Sequence, residues 1–353
     1  MLSMSASTSS HSENTPLPIG LRLMGSDFQG TNMKEYYLGV DLGGTKIAVC
    51  GSNYIDDKDG IMRFPSGFSV KSADVVKRLI NSVDVYIGEK ENGVLPKAIG
   101  FGLKDSVDFS EGIWNTCPSP EGFKKVAFGK LISDRYGVPV LVDNDVHAGT
   151  LAEMKYGTGI AYRNFLYINI GTGIAAGAVI EGKLMRGACN YAGEAGHFSV
   201  DPDGEYCDFC GQHGCIENIA GGKAIIRQAK KAIGGYPHSM LARIYYEKGA
   251  IYSSDVFSAA DAGDEQAVII AQRVLTGVEM LSCGLINMFN PEAVIYGGGV
   301  MSDGWLFSRL EKSVPKKIIP TNAAAIREFS LSRLGADHVG VLGAIALAAM
   351  TGK

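Results

Sequence analysis

The 353-residue sequence has no apolar run that reads as a membrane span. Its most apolar tract, Val339 to Met350, is well short of the roughly 20 residues a spanning helix needs and reads as a packed helix. Basic clusters are also missing, and the net charge is −4, so neither nucleic acid nor a membrane is expected as a partner. Residues 1–34 contain a single arginine, Arg22, and no signal-type hydrophobic core, which argues against a secretory or transit peptide. Rich in Ser, Thr, His and Asn without apolar periodicity, they read as a disordered leader, with Met33 a candidate natural start. The leader is too short for a winged helix-turn-helix. The cysteine count is seven, an odd number, which fits a reducing, cytoplasmic setting with metal-bound or free thiols better than a disulfide framework. A chain of this length exceeds what one core usually supports, so two domains are expected.

What is present is organised around Tyr36 to Cys50, YYLGVDLGGTKIAVC. Two short apolar runs flank Asp41 and the Gly43-Gly44 pair, which predicts two strands joined by a tight turn. Without β-carbons, Gly43 and Gly44 let backbone N–H groups approach an anion. Thr45 adds a hydroxyl, Lys46 a positive charge, and Asp41 a carboxylate suited to Mg²⁺ or its waters. An ordinary hairpin with a polar tip fits this stretch equally well. A second copy changes the weighing. Phe165 to Ile180, FLYINIGTGIAAGAVI, repeats the plan around Gly171, Thr172 and Gly173, and laying Asp41 on Asn169 superposes the copies at an offset of about 128 residues. That spacing suits a duplicated α/β domain.

Between the hairpins, Ala73 to Ile87 has helical spacing, with Val75, Val76, Leu79, Ile80 and Val83 as its stripe. Ala98 to Leu103 and Val138 to Val142 read as strands, the second ending at Asp143-Asn144-Asp145. Ligands in open α/β sheets sit beyond such carboxyl ends. Leu151, Met154 and Tyr156 continue at helical spacing, placing Asp145 at a helix start. There it is either the N-cap or a carboxylate able to take a proton from a hydroxyl, and the two roles are compatible. Further on, Cys207, Cys210 and Cys215, with His197 upstream, supply the three thiolates and one imidazole of a closed tetrahedral Zn²⁺ site. A redox C-x-x-C is the alternative, and His213 is a weaker ligand candidate.

Paired glycine hairpins of this kind resemble the sugar kinase, chaperone and actin superfamily of ATP-binding proteins. Asp41-Leu42-Gly43-Gly44-Thr45-Lys46, together with Glu194-Ala195-Gly196-His197 and Cys210-Gly211-Gln212-His213-Gly214-Cys215-Ile216-Glu217, resembles the ROK family of sugar kinases and sugar-responsive repressors. The resemblance implies a duplicated actin-like ATPase fold, ribonuclease H-like, with two lobes around a cleft. One lobe would be residues 35–145 completed by a C-terminal helix at about 336–353, and the other 146–335 with a zinc loop at 197–215. It further implies an ATP-dependent kinase acting on the 6-hydroxyl of a hexose such as glucose or of an N-acetyl amino sugar, and a homodimer. The alternative is a non-catalytic, sugar-sensing member.

In that reading Asp145 is the general base and Asn144 bonds a neighbouring sugar hydroxyl. Glu194 and Glu217 accept sugar hydroxyls, while His197 binds a structural zinc through one ring nitrogen and reaches the sugar with the other. Lys46 and Thr172 lie near the phosphates, and Gly298 and Gly299, in the Gly297-Gly298-Gly299 run after the expected strand Ala293 to Tyr296, pass under the adenosine. His147 matches no family position and reads as a structural histidine. Two departures stand out. Cys207 makes a C-x-x-C where the family has C-x-C, and Lys104-Asp105-Ser106 replaces a Pro-Gly loop, a departure that points to a different sugar rim and to an acidic or substituted sugar as a candidate substrate.

Overall fold

The computed structural model describes residues 35–55, 57–67, 74–119 and 122–352. The expected leader lies outside the described residues, as does Ala73. Among the described residues thirteen strands follow in chain order, beginning with β1 (Tyr37–Leu42), β2 (Lys46–Gly51), β3 (Met62–Pro65) and β4 (Ala98–Leu103). Next come β5 (Val107–Asp108), β6 (Ile113–Ser119), β7 (Gly122–Val126) and β8 (Val140–Asn144). The last five are β9 (Phe165–Ile170), β10 (Ile174–Ile180), β11 (Lys183–Leu184), β12 (Ala293–Gly297) and β13 (Glu328–Leu331). β8 starts and ends two residues later than the expected Val138 to Val142, carrying pairing as far as Asn144 opposite Leu103.

The two large sheets share one plan, β3-β2-β1-β4-β8 and β11-β10-β9-β12-β13. In each, an antiparallel hairpin is followed by two parallel strands on its other side. Register supports the equivalence of Asp41 and Asn169. Asp41 lies opposite Gly102 of β4, and Asn169 lies opposite Gly297 of β12. The inner strands read as near-continuous apolar runs because both faces are covered; Leu38, Val40, Ile99, Phe101, Ile168 and Val294 are all buried. β5, β6 and β7 form a separate small sheet.

The helix Val75–Lys90 is capped by Asp74, whose side chain accepts from the Lys77 N–H, and it buries Val75, Leu79, Val83, Tyr86 and Ile87. The C-terminal helix Val339–Ala348 is apolar all round because it is covered all round. It packs on β1 and β4 and against the helix Asp145–Tyr156. Two glycines permit that approach: a β-carbon on Gly100 would overlap the Ala344 carbonyl oxygen, and one on Gly343 would overlap that of Ala148.

One expectation needs correcting. The helix Glu265–Phe289 has 25 residues and a mean hydropathy of 1.4 over its most apolar window, so a segment long and apolar enough to cross a membrane does exist. Its apolarity has another cause: Ile270, Val274, Val278, Leu281 and Ile286 pack in the core beside the second sheet.

Candidate functional site

The first site residues meet at Gly102. A β-carbon there would lie 3.3 Å from Asp41 Oδ1 and 3.7 Å from the Asp145 Cα, so the end of β1 and the start of the helix Asp145–Tyr156 flank one glycine. Asp41 also tucks against the C-terminal helix, where a β-carbon on Gly340 would overlap its carboxylate. Burial, and then the charge of Asp145, push the Asp41 carboxyl up to about 7, with Lys46 opposing. Burial likewise pushes Asp145 up to about 6; Lys104 pulls the other way and Asp105 adds to the rise. A carboxyl in that range is a usable base at neutral pH.

The N-cap of this helix is Asn144. Its Oδ1 accepts from the N–H groups of Val146 at 2.8 Å and His147 at 3.3 Å. Asp145 is the first helical residue, and its Oδ1 accepts from Val146 N–H at 3.0 Å. The cap role weighed for Asp145 therefore belongs to its neighbour, which leaves the aspartate aimed by the helix start without being consumed by it. Asn144 Nδ2 donates to the Asp105 carbonyl at 3.0 Å, so one amide hydrogen remains to reach a ligand.

Around this pair stand Asp105, Glu194, Glu217 and Lys104. Lys104 Nζ lies 2.5 Å from Asp105 Oδ1. Burial works against its charge, but Asp105, Asp145 and Glu217 outweigh that and raise its pKa. Burial, followed by Asp145, Glu217 and Asp105, raises the pKa of Glu194. Glu217 Oε2 accepts from the Ile174 N–H at 2.7 Å, and a β-carbon on Gly173 would overlap its carboxylate; this ties Glu217 to the second glycine turn. The expected sugar-side residues thus converge. In the sequence Asp105 stands only as part of an altered loop; β4–β8 pairing sets Leu103 opposite Asn144, which brings the Asp105 carbonyl within reach of Asn144 Nδ2.

Donor atoms of His197, Cys207, Cys210 and Cys215 all lie within 4.8 Å of one another. Cys207 Sγ is 3.6 Å from His197 Nδ1 and Cys210 Sγ is 3.3 Å from Cys215 Sγ. Tetrahedral thiolates about 2.3 Å from zinc would sit about 3.8 Å apart, so the set fits such an ion. The longer C-x-x-C therefore still delivers Cys207. His213 points elsewhere, its Nδ1 lying 2.9 Å from the Gly204 carbonyl oxygen. His197 turns Nε2 to within 4.0 Å of Glu194 Oε2, and Phe209 stacks on its ring at 4.7 Å.

The remaining glycines gather at the second turn. Gly171 N–H donates to Gly173 O, and the N–H groups of Gly222 and Lys223, at the start of the helix Gly222–Gly235, donate to the carbonyls of Gly171 and Thr172. Gly298 adopts φ +94°, and a β-carbon there would overlap the Ile170–Gly171 peptide; Gly299 opens the next turn. Thr172 is exposed. At the first turn Gly43 N–H donates to Lys46 O, Gly44 is half-buried and Thr45 is exposed. Lys46 pairs with Asp337, just ahead of the C-terminal helix, a partner that no local sequence signal announces.

Two sheets of one strand order, each with a glycine hairpin, define a duplicated α/β protein of the actin-like ATPase class. The chain belongs to the ROK family, whose model matches residues 37–351. It is similar to the glucokinase of Thermotoga maritima, 31% identical over 313 residues that cover 88% of this chain and 96% of that protein. Among solved structures, a ROK glucokinase from Streptomyces griseus in complex with glucose and AMPPNP is 27% identical with a TM-score of 0.72, covering 89% and 99% of the two chains. A ROK family transcriptional regulator, homologous to the Escherichia coli Mlc protein, is 26% identical with a TM-score of 0.74, covering 89% and 78%.

Proposed function

We propose that this protein is an ATP-dependent sugar kinase that transfers the γ-phosphoryl group to the 6-hydroxyl of a hexose or N-acetyl amino sugar. The observation that carries the reading is the Asp145 carboxylate, held at a helix start and flanked by Asp41 across Gly102, with Glu194 near enough that burial and then the charges of Asp145 and Glu217 raise its pKa. Asp145 accepts the proton of the attacking hydroxyl as the oxygen–phosphorus bond forms. Asn144, Glu194 and Glu217 hold neighbouring hydroxyls, each of which both donates and accepts. The glycine turns and Thr172 offer donors to the phosphates of the co-substrate, with Gly298 and Gly299 beside its nucleoside.

Asp41 is the residue suited to a Mg²⁺ ion, which would neutralise phosphate charge when bound; a half-buried carboxyl held up at about 7 gains most from such a cation. His197, Cys207, Cys210 and Cys215 would hold a structural Zn²⁺, pinning the loop between Glu194 and Glu217. Two lobes, 35–145 with the C-terminal helix and 146–335, closing on the substrates, belong to this reading, as do a homodimer and a cytoplasmic setting.

A coupled assay with ATP across a hexose and amino-sugar panel tests the proposal. Asp145→Asn should lower turnover by about 10²- to 10⁴-fold while sugar binding survives; full turnover in that variant would reject the assignment. The likeness to a transcriptional regulator favours a second reading, a sugar sensor without turnover. Sugar binding with no phosphorylation anywhere in the panel would select it.

A further inference from the structure

Behind the carboxylates lies a buried polar knot that the proposed reaction does not use. Asp143, fully buried near the end of β8, accepts at Oδ1 from Asn144 N–H at 2.8 Å, Asn190 Nδ2 at 3.0 Å and His147 Nδ1 at 3.1 Å. Its Oδ2 accepts from Arg186 Nε at 2.9 Å. Burial works against ionisation of Asp143, but His147, Arg186 and Asn190 together outweigh it and hold its carboxyl below the usual range.

His147 is 2% exposed, and its other ring nitrogen, Nε2, lies 2.9 Å from the Ala192 carbonyl oxygen. Both partners are acceptors. A neutral imidazole has one N–H, so in either tautomer one of these contacts would set lone pair against lone pair at a ring almost wholly withdrawn from solvent. Only the imidazolium donates to both. The charged groups facing it are Asp143 from β8, Arg186 from the 186–192 loop and, farther off, Glu194, whose carboxyl is held up chiefly by burial and pulled the other way by His147. Arg186 is itself committed to Asp143 and to the Phe109 ring, 3.9 Å away.

The position of this ring gives it a role. His147 stands in the first turn of the helix that begins at Asp145, and Ala192 precedes Glu194 by two residues. We propose that His147 is a positioning residue: as a buried imidazolium clamped between Asp143 and the Ala192 carbonyl, it sets the spacing between Asp145 and the loop carrying Glu194. The consequence is grip on the sugar, so the inference rests on the sugar-kinase reading and deepens it. It also departs from the sequence expectation, in which His147 had no part beyond packing.

The wild-type protein supplies the first test. With ¹⁵N-labelled histidine, one of the six histidines should show both ring nitrogens protonated at neutral pH, and that signal should vanish in His147→Gln. A His147 ring with one bare nitrogen overturns the proposal before any variant has to fold. In the coupled assay, His147→Gln should raise KM for the sugar by about ten- to hundredfold and move KM for ATP by less than about twofold. No effect, or equal effects on both, overturns it. Calorimetric titration of the sugar without ATP separates the two ideas. A wild type that binds sugar but phosphorylates none sinks the kinase reading, whereas weaker sugar binding in His147→Gln still upholds the clamp.

Discussion

The two hairpins are built alike and equipped differently. In the first, Asp41 ends a strand beside Gly102 and faces Asp145; in the second, Asn169 occupies the same register beside Gly297. The first turn is backed by the C-terminal helix and by Asp337, which pairs with Lys46. The second is backed by the start of the helix Gly222–Gly235, by Gly298 and by the Glu217 carboxylate. One framework thus presents an acid in one copy and an uncharged amide in the other. The lesson is that strand order fixes where a polar tip sits, residue type fixes whether it can be charged, and the packing and charges around Asp41 set how readily it ionises.

Exchanging the two tips should break the comparison most visibly. Asp41→Asn is expected to cut phosphoryl transfer by about 10²-fold or more and to blunt its Mg²⁺ dependence. Asn169→Asp should chiefly raise KM for ATP, because it adds a negative charge where donors are needed. Matching effects from the two variants in a steady-state assay would mean that the copies are interchangeable. The metal loop is the next contrast. Cys207→Ser should remove the roughly stoichiometric zinc expected by elemental analysis and lower the melting temperature, whereas His213→Ala should do neither. Zinc retained without Cys207 would reopen the ligand set.

Asp145 and Asp41 each predict a pH signature. With Asp145 at about 6, activity should fall as pH drops below that value, read as kcat/KM for the sugar. Asp41 carries the opposite sign for stability. Its folded pKa of about 7 is raised above 3.8, so its contribution is present at low pH and is lost as pH rises between those values, and Mg²⁺ should restore it. Melting curves from pH 4 to 8, with and without Mg²⁺, check the stability sign, and the kcat/KM profile over the same range checks the activity sign. The smallest effect concerns the backing helix: Gly343→Ala should destabilise the fold by about 1–3 kcal/mol through overpacking against Ala148, measured by urea denaturation.

Much of this was legible in order along the chain. Local pattern sufficed wherever the signal is local: apolar runs broken by glycine for the hairpins, helical spacing after Asp145, and three cysteines within nine residues for the metal loop. The copy-to-copy alignment of Asp41 with Asn169 also came from pattern, since equal strand lengths preserve equal registers. The apolar helix Glu265–Phe289 does not stand out in the sequence as an unbroken apolar run, because Arg273 and Glu279 interrupt it without ending the buried face.

By itself the sequence determined the hairpins, the duplicated plan and the four thiol and imidazole donors, because each is written as a pattern along the chain: apolar runs broken by glycine, the same run repeated, and cysteines closely spaced after a histidine. Only tertiary structure decided that Asn144 caps the helix in place of Asp145, that Asp41 and Asp145 flank Gly102, and that Lys46 pairs with Asp337. The clamp of His147 between Asp143 and Ala192 belongs with these. The Asn144 cap and the His147–Asp143 contact are local, whereas the approach of Asp41 to Gly102 and Asp145, the Lys46–Asp337 pair and the His147–Ala192 contact join residues tens to hundreds of positions apart. Their distances are set by how strands register and helices pack, and charge and hydrogen bonding respond to that proximity rather than to order along the chain.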